Sequence, residues 1–134
     1  DLFAGTGSIS LELVSRGCGR VISVEREPSH HSFIYKVKEQ LQESNWLPLR
    51  TDVFRYIEKC HESFDLIFAD PPYALPRLAE LPDLILNGGL LATDGLLVLE
   101  HGKEHSFAAH PHFMQERIYG SVHFSFFSLE AKEE

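Results

Sequence analysis

The chain is poor in cysteine and in positive charge, and each shortage closes off a class of protein. Two cysteines, Cys18 and Cys60, in 134 residues give neither a paired disulfide framework nor a metal-ligand spacing. With no charged-then-apolar leader in view, they suit a reducing compartment, and the expected location is the cytoplasm. Only 12 Lys and Arg stand against 20 Asp and Glu, a formal charge of -8. A broad basic face for gripping nucleic acid is therefore missing, and any such contact is local or supplied from elsewhere. No apolar run approaches the roughly 20 residues of a spanning helix, so no membrane partner is expected. Neither a glycine period nor a repeat is present. What is present, 43% hydrophobic and 24% charged residues, is ordinary for a globular chain and fits one domain over residues 1–134, expected to be monomeric.

Short apolar runs alternate with helical stretches, the pattern of a mostly parallel sheet covered by helices, and the fold class is α/β. Ser8 is placed to cap a helix running to about Arg16, closed by Gly17 and Gly19. Val21 to Val24 reads as a strand ending at Glu25, and Pro28 can begin a second helix. Its expected apolar face is Phe33, Val37 and Leu41 with Ile34 beside them. Trp46 to Leu49 contains Pro48, which removes a ladder donor and puts that strand at an edge. A short helix over Val53 to Lys59 precedes Leu66 to Ala69, a strand of the continuously buried kind. Leu78 to Leu86 is expected to be helical despite Pro82, and Leu96 to Leu99 to be another buried strand. Arg117 to Tyr119 and Val122 to Phe127 flank the turn pair Gly120-Ser121, an antiparallel hairpin.

Asp1-Leu2-Phe3-Ala4-Gly5-Thr6-Gly7 ends a strand and opens a helix, with glycines that let backbone approach a ligand. A dinucleotide site would want Gly or Ala three residues after Gly7, where Ser10 stands, and Asp1 puts a carboxylate near the place of a pyrophosphate. S-adenosylmethionine carries no phosphate and has a cationic ammonium and sulfonium, which an acidic rim suits. Glu25, at the end of the next strand, can accept bonds from both ribose hydroxyls. Asp52, equivalent after the third strand, can accept the adenine amino protons. Each feature alone reads more simply as a turn or a solvated strand end; three in register favour the cofactor.

Asp70-Pro71-Pro72-Tyr73 follows an apolar strand and so lies at the carboxyl edge of the sheet, where such folds bind ligands. An exocyclic amine on a base is a poor nucleophile because its lone pair is delocalised into the ring. Hydrogen bonds from its two protons to the Asp70 carboxylate and the Pro71 carbonyl would favour a pyramidal nitrogen aimed at the methyl group. The Tyr73 ring offers a face for an unstacked base, worth roughly 1–3 kcal/mol by analogy with single-strand binders. The competing view is a rigid Pro-Pro turn capped by Asp70, and it does not account for the glycine loop at the matching sheet edge.

DLFAGTGSISLE, VISVE, TD and FADPPY, in this order and spacing, resemble S-adenosylmethionine-dependent amino-methyltransferases, and the likeness spans nearly the whole chain. It is tightest to the bacterial small-subunit (16S) ribosomal RNA guanine-N2 methyltransferases known as RsmD, whose fifth strand and terminal hairpin LVLEHG and RIYGSVHFSFF also resemble. The resemblance implies a Rossmann-like class I methyltransferase fold with strand order 3-2-1-4-5-7-6. It implies a cofactor site of Asp1, Phe3, Ala4, Gly5, Gly7, Glu25 and Asp52, and an active-site loop of Asp70, Pro71, Pro72 and Tyr73. The expected partner is ribosomal RNA or a small-subunit assembly intermediate. Family members have a strand leading into the glycine loop and a basic arm before it, so this chain is expected to be N-terminally truncated, its first strand missing, and to fold poorly alone.

His101-Gly-Lys-Glu104-His105 matches an H-x-x-E-H zinc pattern, but Gly102 argues against the helix such a site needs, and the expectation is a polar loop with no metal. His30-His31 and His110/His112 are likewise expected to be exposed. Two rivals stay open: an adenine-N6 methyltransferase acting on DNA or RNA, which shares the tetrapeptide, and a cofactor-binding or ribosome-assembly module without turnover.

Overall fold

Four consecutive buried residues, Val21–Val24, form β1, the first strand of the unit made by residues 1–56. The computed structural model describes residues 1–130 of the chain. β1 pairs in parallel with β2, Trp46–Leu49, which puts Pro48 opposite Ser23. Within this unit β2 has β1 as its strand partner, so the expected edge position holds. On the other side of β1, Leu2 makes a parallel bridge to Val24, and the Val24 amide donates to the Asp1 carbonyl at 2.9 Å. The residues entering the glycine loop therefore take the place expected of the strand that feeds it.

Helix α1 spans Ser8–Ser15, and its N-cap is Gly7, at φ 83, with no side-chain cap of its own. Ser8, expected as the cap, is the first helical residue instead. The capping carboxylate comes from a distance: Asp1 Oδ2 accepts from the Ser10 amide at 3.2 Å. Helix α2, Pro28–Leu41, starts on Pro28 as expected, with the Glu27 side chain accepting from the His30 amide. Its buried residue is Ile34, while Phe33 and Leu41 are exposed. Of the expected face Val37 packs against the core, and Ile34, named beside it, is the buried centre in place of Phe33 and Leu41, because it packs into the space that Gly7 leaves by lacking a side chain. Val21, Ile34 and Trp46 form the core of this unit, with Ala4, Leu13, Val14 and Val37 against it.

Helix α3, Val53–Lys59, leads into the second unit, Ile57 onward. There β3, Phe64–Ala69, pairs in parallel with β4, Leu91–His101, and β6, Val122–Phe127, pairs antiparallel with both β4 and β5, Phe113–Tyr119. The order β3-β4-β6-β5 is that expected for strands 4-5-7-6. β3 is not buried throughout: Ile67 and Ala69 face the core and Leu66 is exposed, the alternation of a strand covered on one face. β4 is longer than expected because it begins before Gly95, with a register shift opposite Phe64 and Leu66. Pro82 splits the expected helix into a 3-10 turn, Leu78–Glu80, and α4, Leu81–Asn87, where Pro82 sits in the first turn and loses no hydrogen bond. Gly120, at φ 61, makes the hairpin turn. Among the described residues no helix is long and apolar enough to cross a membrane.

Candidate functional site

In the first unit the glycine loop is held by two carboxylates. Glu25 Oε1 accepts from the Gly5 amide and Oε2 from the Glu27 amide, each at 2.8 Å, so this acid latches the loop to the end of β1. Asp1 Oδ2 accepts from the Ser10 hydroxyl at 2.7 Å as well as from its amide. Behind it the Ser10 hydroxyl lies 2.5 Å from Ser23 Oγ, which accepts from Trp46 Nε1 at 2.8 Å. Since Ser10 donates to Asp1, it must accept from Ser23, so a one-way chain of donors runs from the Trp46 indole through two buried hydroxyls to the Asp1 carboxylate. Ser10, where a dinucleotide site would want Gly or Ala, is fixed by this chain. The chain's own Asp1 carboxylate occupies the start of α1, the place where a pyrophosphate would bind.

Phe3 is held at φ 59, a left-handed conformation that strains a bulky residue by about 1–2 kcal/mol, and its ring meets Phe54 edge-on at 6.4 Å. Gly5, at φ 58, has open space where a Cβ would stand, whereas a Cβ on Gly7 would come within 2.9 Å of Ile34 Cγ1. Gly5 therefore serves backbone exposure and Gly7 serves packing. Asp52 accepts from the Arg55 amide at 3.1 Å and so caps α3. This loop, with its strained Phe3, open Gly5 and adjoining carboxylates, offers backbone donors and acidic acceptors to a compact cationic ligand, and S-adenosylmethionine fits that donor set.

In the second unit the chemistry gathers at the carboxyl ends of two parallel strands. The register Ala69↔Leu99 brings the next residue of each, Asp70 and Glu100, side by side. Pro71 is fully buried, and the Pro72 carbonyl accepts from the Leu75 amide at 2.9 Å, closing the turn. The Tyr73 hydroxyl donates to Glu100 Oε2 at 2.9 Å. The Tyr73 ring lies against Gly102, where a Cβ would come within 3.1 Å of it. Burial, then the hydrogen bond and charge of Glu100, push the Asp70 carboxyl up to about 7. Burial and Glu100 likewise push the Tyr73 phenol up to about 12, so it stays protonated and donates.

Glu100 was not among the site residues expected from sequence. The signal for it was an acid ending the apolar run Leu96 to Leu99, and only the strand register puts it level with Asp70. His30 is exposed as expected, while other histidines differ. His101 belongs to β4 rather than to a polar loop and is fully buried, with Nδ1 donating to the Gly102 carbonyl at 2.8 Å. His110 is half-buried on Asp83 at 2.7 Å, and His31 meets the Pro48 carbonyl at 3.1 Å.

A family model described as conserved hypothetical protein 95 matches residues 1–128. The chain is 24% identical over its whole length to ribosomal RNA small subunit methyltransferase D of Escherichia coli strain K12, covering 69% of that protein. It is 27% identical to the protein of the same name from Buchnera aphidicola subsp. Baizongia pistaciae, over 75% of this chain. The chain spans about half the length of that Buchnera relative, 51%. The solved structure of the candidate methyltransferase yhhF from Escherichia coli superposes with a TM-score of 0.87 at 24% identity, covering 98% of this chain and 75% of that one. This likeness gives the fold: Rossmann-like, of the class I methyltransferase type.

Proposed function

The chain belongs to the conserved hypothetical protein 95 family, an RsmD-like family, and from that premise we propose a methyltransferase acting on the exocyclic N2 amine of a guanine in small-subunit (16S) ribosomal RNA. The observation that carries this reading is the cluster of Asp70, Glu100 and Tyr73 at the carboxyl ends of β3 and β4. Residues 1–134 would act as one methyltransferase domain, in the cytoplasm, on the RNA or an assembly intermediate of the small subunit, as a monomer.

S-adenosylmethionine, when bound, supplies an electrophilic methyl group on a sulfonium. The loop of Asp1, Phe3, Ala4, Gly5 and Gly7 would hold its amino-acid part through backbone groups and the negative field of Asp1 and Glu25. Glu25 has acceptor capacity beyond its two amide bonds for the ribose hydroxyls. Asp52, whose Oδ2 caps α3, has its other oxygen for the adenine amine.

Asp70 and the Pro71 carbonyl would accept the two protons of the guanine amine, turning its lone pair out of conjugation. Such positioning accounts for much of the rate of a displacement that needs no covalent help from the protein. The Asp70 carboxylate, already hydrogen-bonded to the amine, would take the proton that the methylated nitrogen has to lose. A carboxyl lifted to about 7 receives that proton more readily than an ordinary one. Tyr73, its hydroxyl anchored on Glu100, presents its ring to the base. Asp70→Ala in a chain with intact cofactor affinity should lose most transfer of labelled methyl to ribosomal RNA. Near-normal turnover in that variant would remove Asp70 from the acceptor site and this mechanism with it.

A further inference from the structure

We propose that His101, Glu116 and His123 form a site for a divalent transition metal, zinc by its donor set, that fastens the C-terminal hairpin to β4. The placement follows from strand register. His101 pairs directly with His123 across β4 and β6, and Glu116 of β5 pairs with Ser125, two residues along from His123. The pleat then puts His101, His123, Ser125 and Glu116 on one face of three adjacent strands.

The donor atoms are already close to metal spacing. Glu116 Oε2 lies 3.7 Å from His101 Nε2 and 3.3 Å from His123 Nδ1, and all three atoms lie within 4.8 Å of one another. A tetrahedral ion with bonds of about 2.0–2.1 Å separates its ligand atoms by roughly 3.3–3.4 Å. The carboxylate therefore stands near one tetrahedral edge from each imidazole.

The tautomer is also set. A carbonyl can only accept, so the bond between His101 Nδ1 and the Gly102 oxygen at 2.8 Å puts the proton on Nδ1 and leaves a lone pair on Nε2. A backbone carbonyl behind one imidazole nitrogen is the usual support for a metal ligand on the other. The Phe107 ring packs against the His101 imidazole in a T-shaped contact at 5.0 Å and holds it in place. The Ser125 hydroxyl, 2.7 Å from Nε2, is the group an ion would displace. Two imidazoles and one carboxylate suit zinc, cobalt or nickel rather than magnesium or calcium, and three protein ligands leave a further position for water. Of the H-x-x-E-H residues only His101 takes part, so the site comes from sheet register and not from that motif.

The test is binding of Zn²⁺, by competition with a chromophoric chelator, and of Co²⁺, by visible absorption, to the full chain without a polyhistidine tag. One equivalent of Zn²⁺ is expected, with an intense tetrahedral Co²⁺ band. His123→Ala and Glu116→Gln, both at half-buried or more open positions, should each weaken Zn²⁺ binding about tenfold or more, while His30→Ala should not. Zn²⁺ should raise the melting temperature of the parent chain and leave that of His123→Ala unmoved. Zn²⁺ bound equally by the parent and by folded His123→Ala and Glu116→Gln, or not bound at all, overturns the site and leaves a hydrogen-bonded cluster that needs no ion. Neither result depends on methyl transfer.

Discussion

Glu100→Gln isolates the electrostatic half of the proposed acceptor site. The amide keeps an oxygen for the Tyr73 hydroxyl, now 2.9 Å from Glu100 Oε2, and removes the charge beside Asp70. Asp70 is raised to about 7 first by burial and then by the hydrogen bond and charge of Glu100, so the substitution should lower it only in part. Because Asp70 ionises at higher pH folded than unfolded (near 4), the folded state holds an extra proton between about pH 4 and 7. Stability from this group is thus present at low pH and lost as pH rises through 7. Allowing for solvent screening of a half-buried group, the loss is about 1–2 kcal/mol. Glu100→Gln should recover about 1 kcal/mol at pH 8 and nearly nothing at pH 4, measured by urea unfolding at the two values. The acidic limb of methyl transfer should move to lower pH. An Asp70 carboxyl that titrates unchanged by NMR in Glu100→Gln, or an equal stability change at both pH values, would refute the coupling.

Ser10→Ala breaks the donor chain between Ser23 and Asp1 and leaves buried groups short of a partner, so it should cost about 1–3 kcal/mol in chemical unfolding. Gly7→Ala meets both a φ of 83 and a Cβ 2.9 Å from Ile34 Cγ1, so a loss of about 2 kcal/mol or more is expected in chemical unfolding. Glu25→Ala should weaken S-adenosylmethionine binding by roughly 1.5–3 kcal/mol, Asp52→Ala by less, and isothermal titration on the chain in its full protein context decides. An unchanged dissociation constant for Glu25→Ala would put the ribose elsewhere.

The parts of this molecule legible in its sequence are those where one local signal had one structural meaning. Pro28 opening α2, Pro48 forcing an edge and Gly120 turning the hairpin each act through a backbone constraint that no tertiary contact has to supply. Where neighbours in space decide, local reading fell short. Ile34 rather than Phe33 faces the core because Gly7 opens a pocket for it, which helical spacing cannot reveal. Asp1 replaces Ser8 as the cap of α1 because a bridge at Leu2 carries its carboxylate to the helix start. Glu100 and the His101, Glu116 and His123 cluster depend on register between strands distant in sequence, and no spacing rule encodes that. The loop residues and the Asp70 to Tyr73 tetrapeptide stood out because their chemistry is unusual at strand ends, even though their partners did not.

The most direct test of the proposed activity is the identity of the methylated nucleoside. Small-subunit ribosomal RNA, labelled with S-adenosylmethionine by the chain in its full protein context, should yield N2-methylguanosine on digestion and mass spectrometry, and the Asp70→Ala protein should yield almost none. N6-methyladenosine, or a product formed equally by Asp70→Ala, would contradict the account.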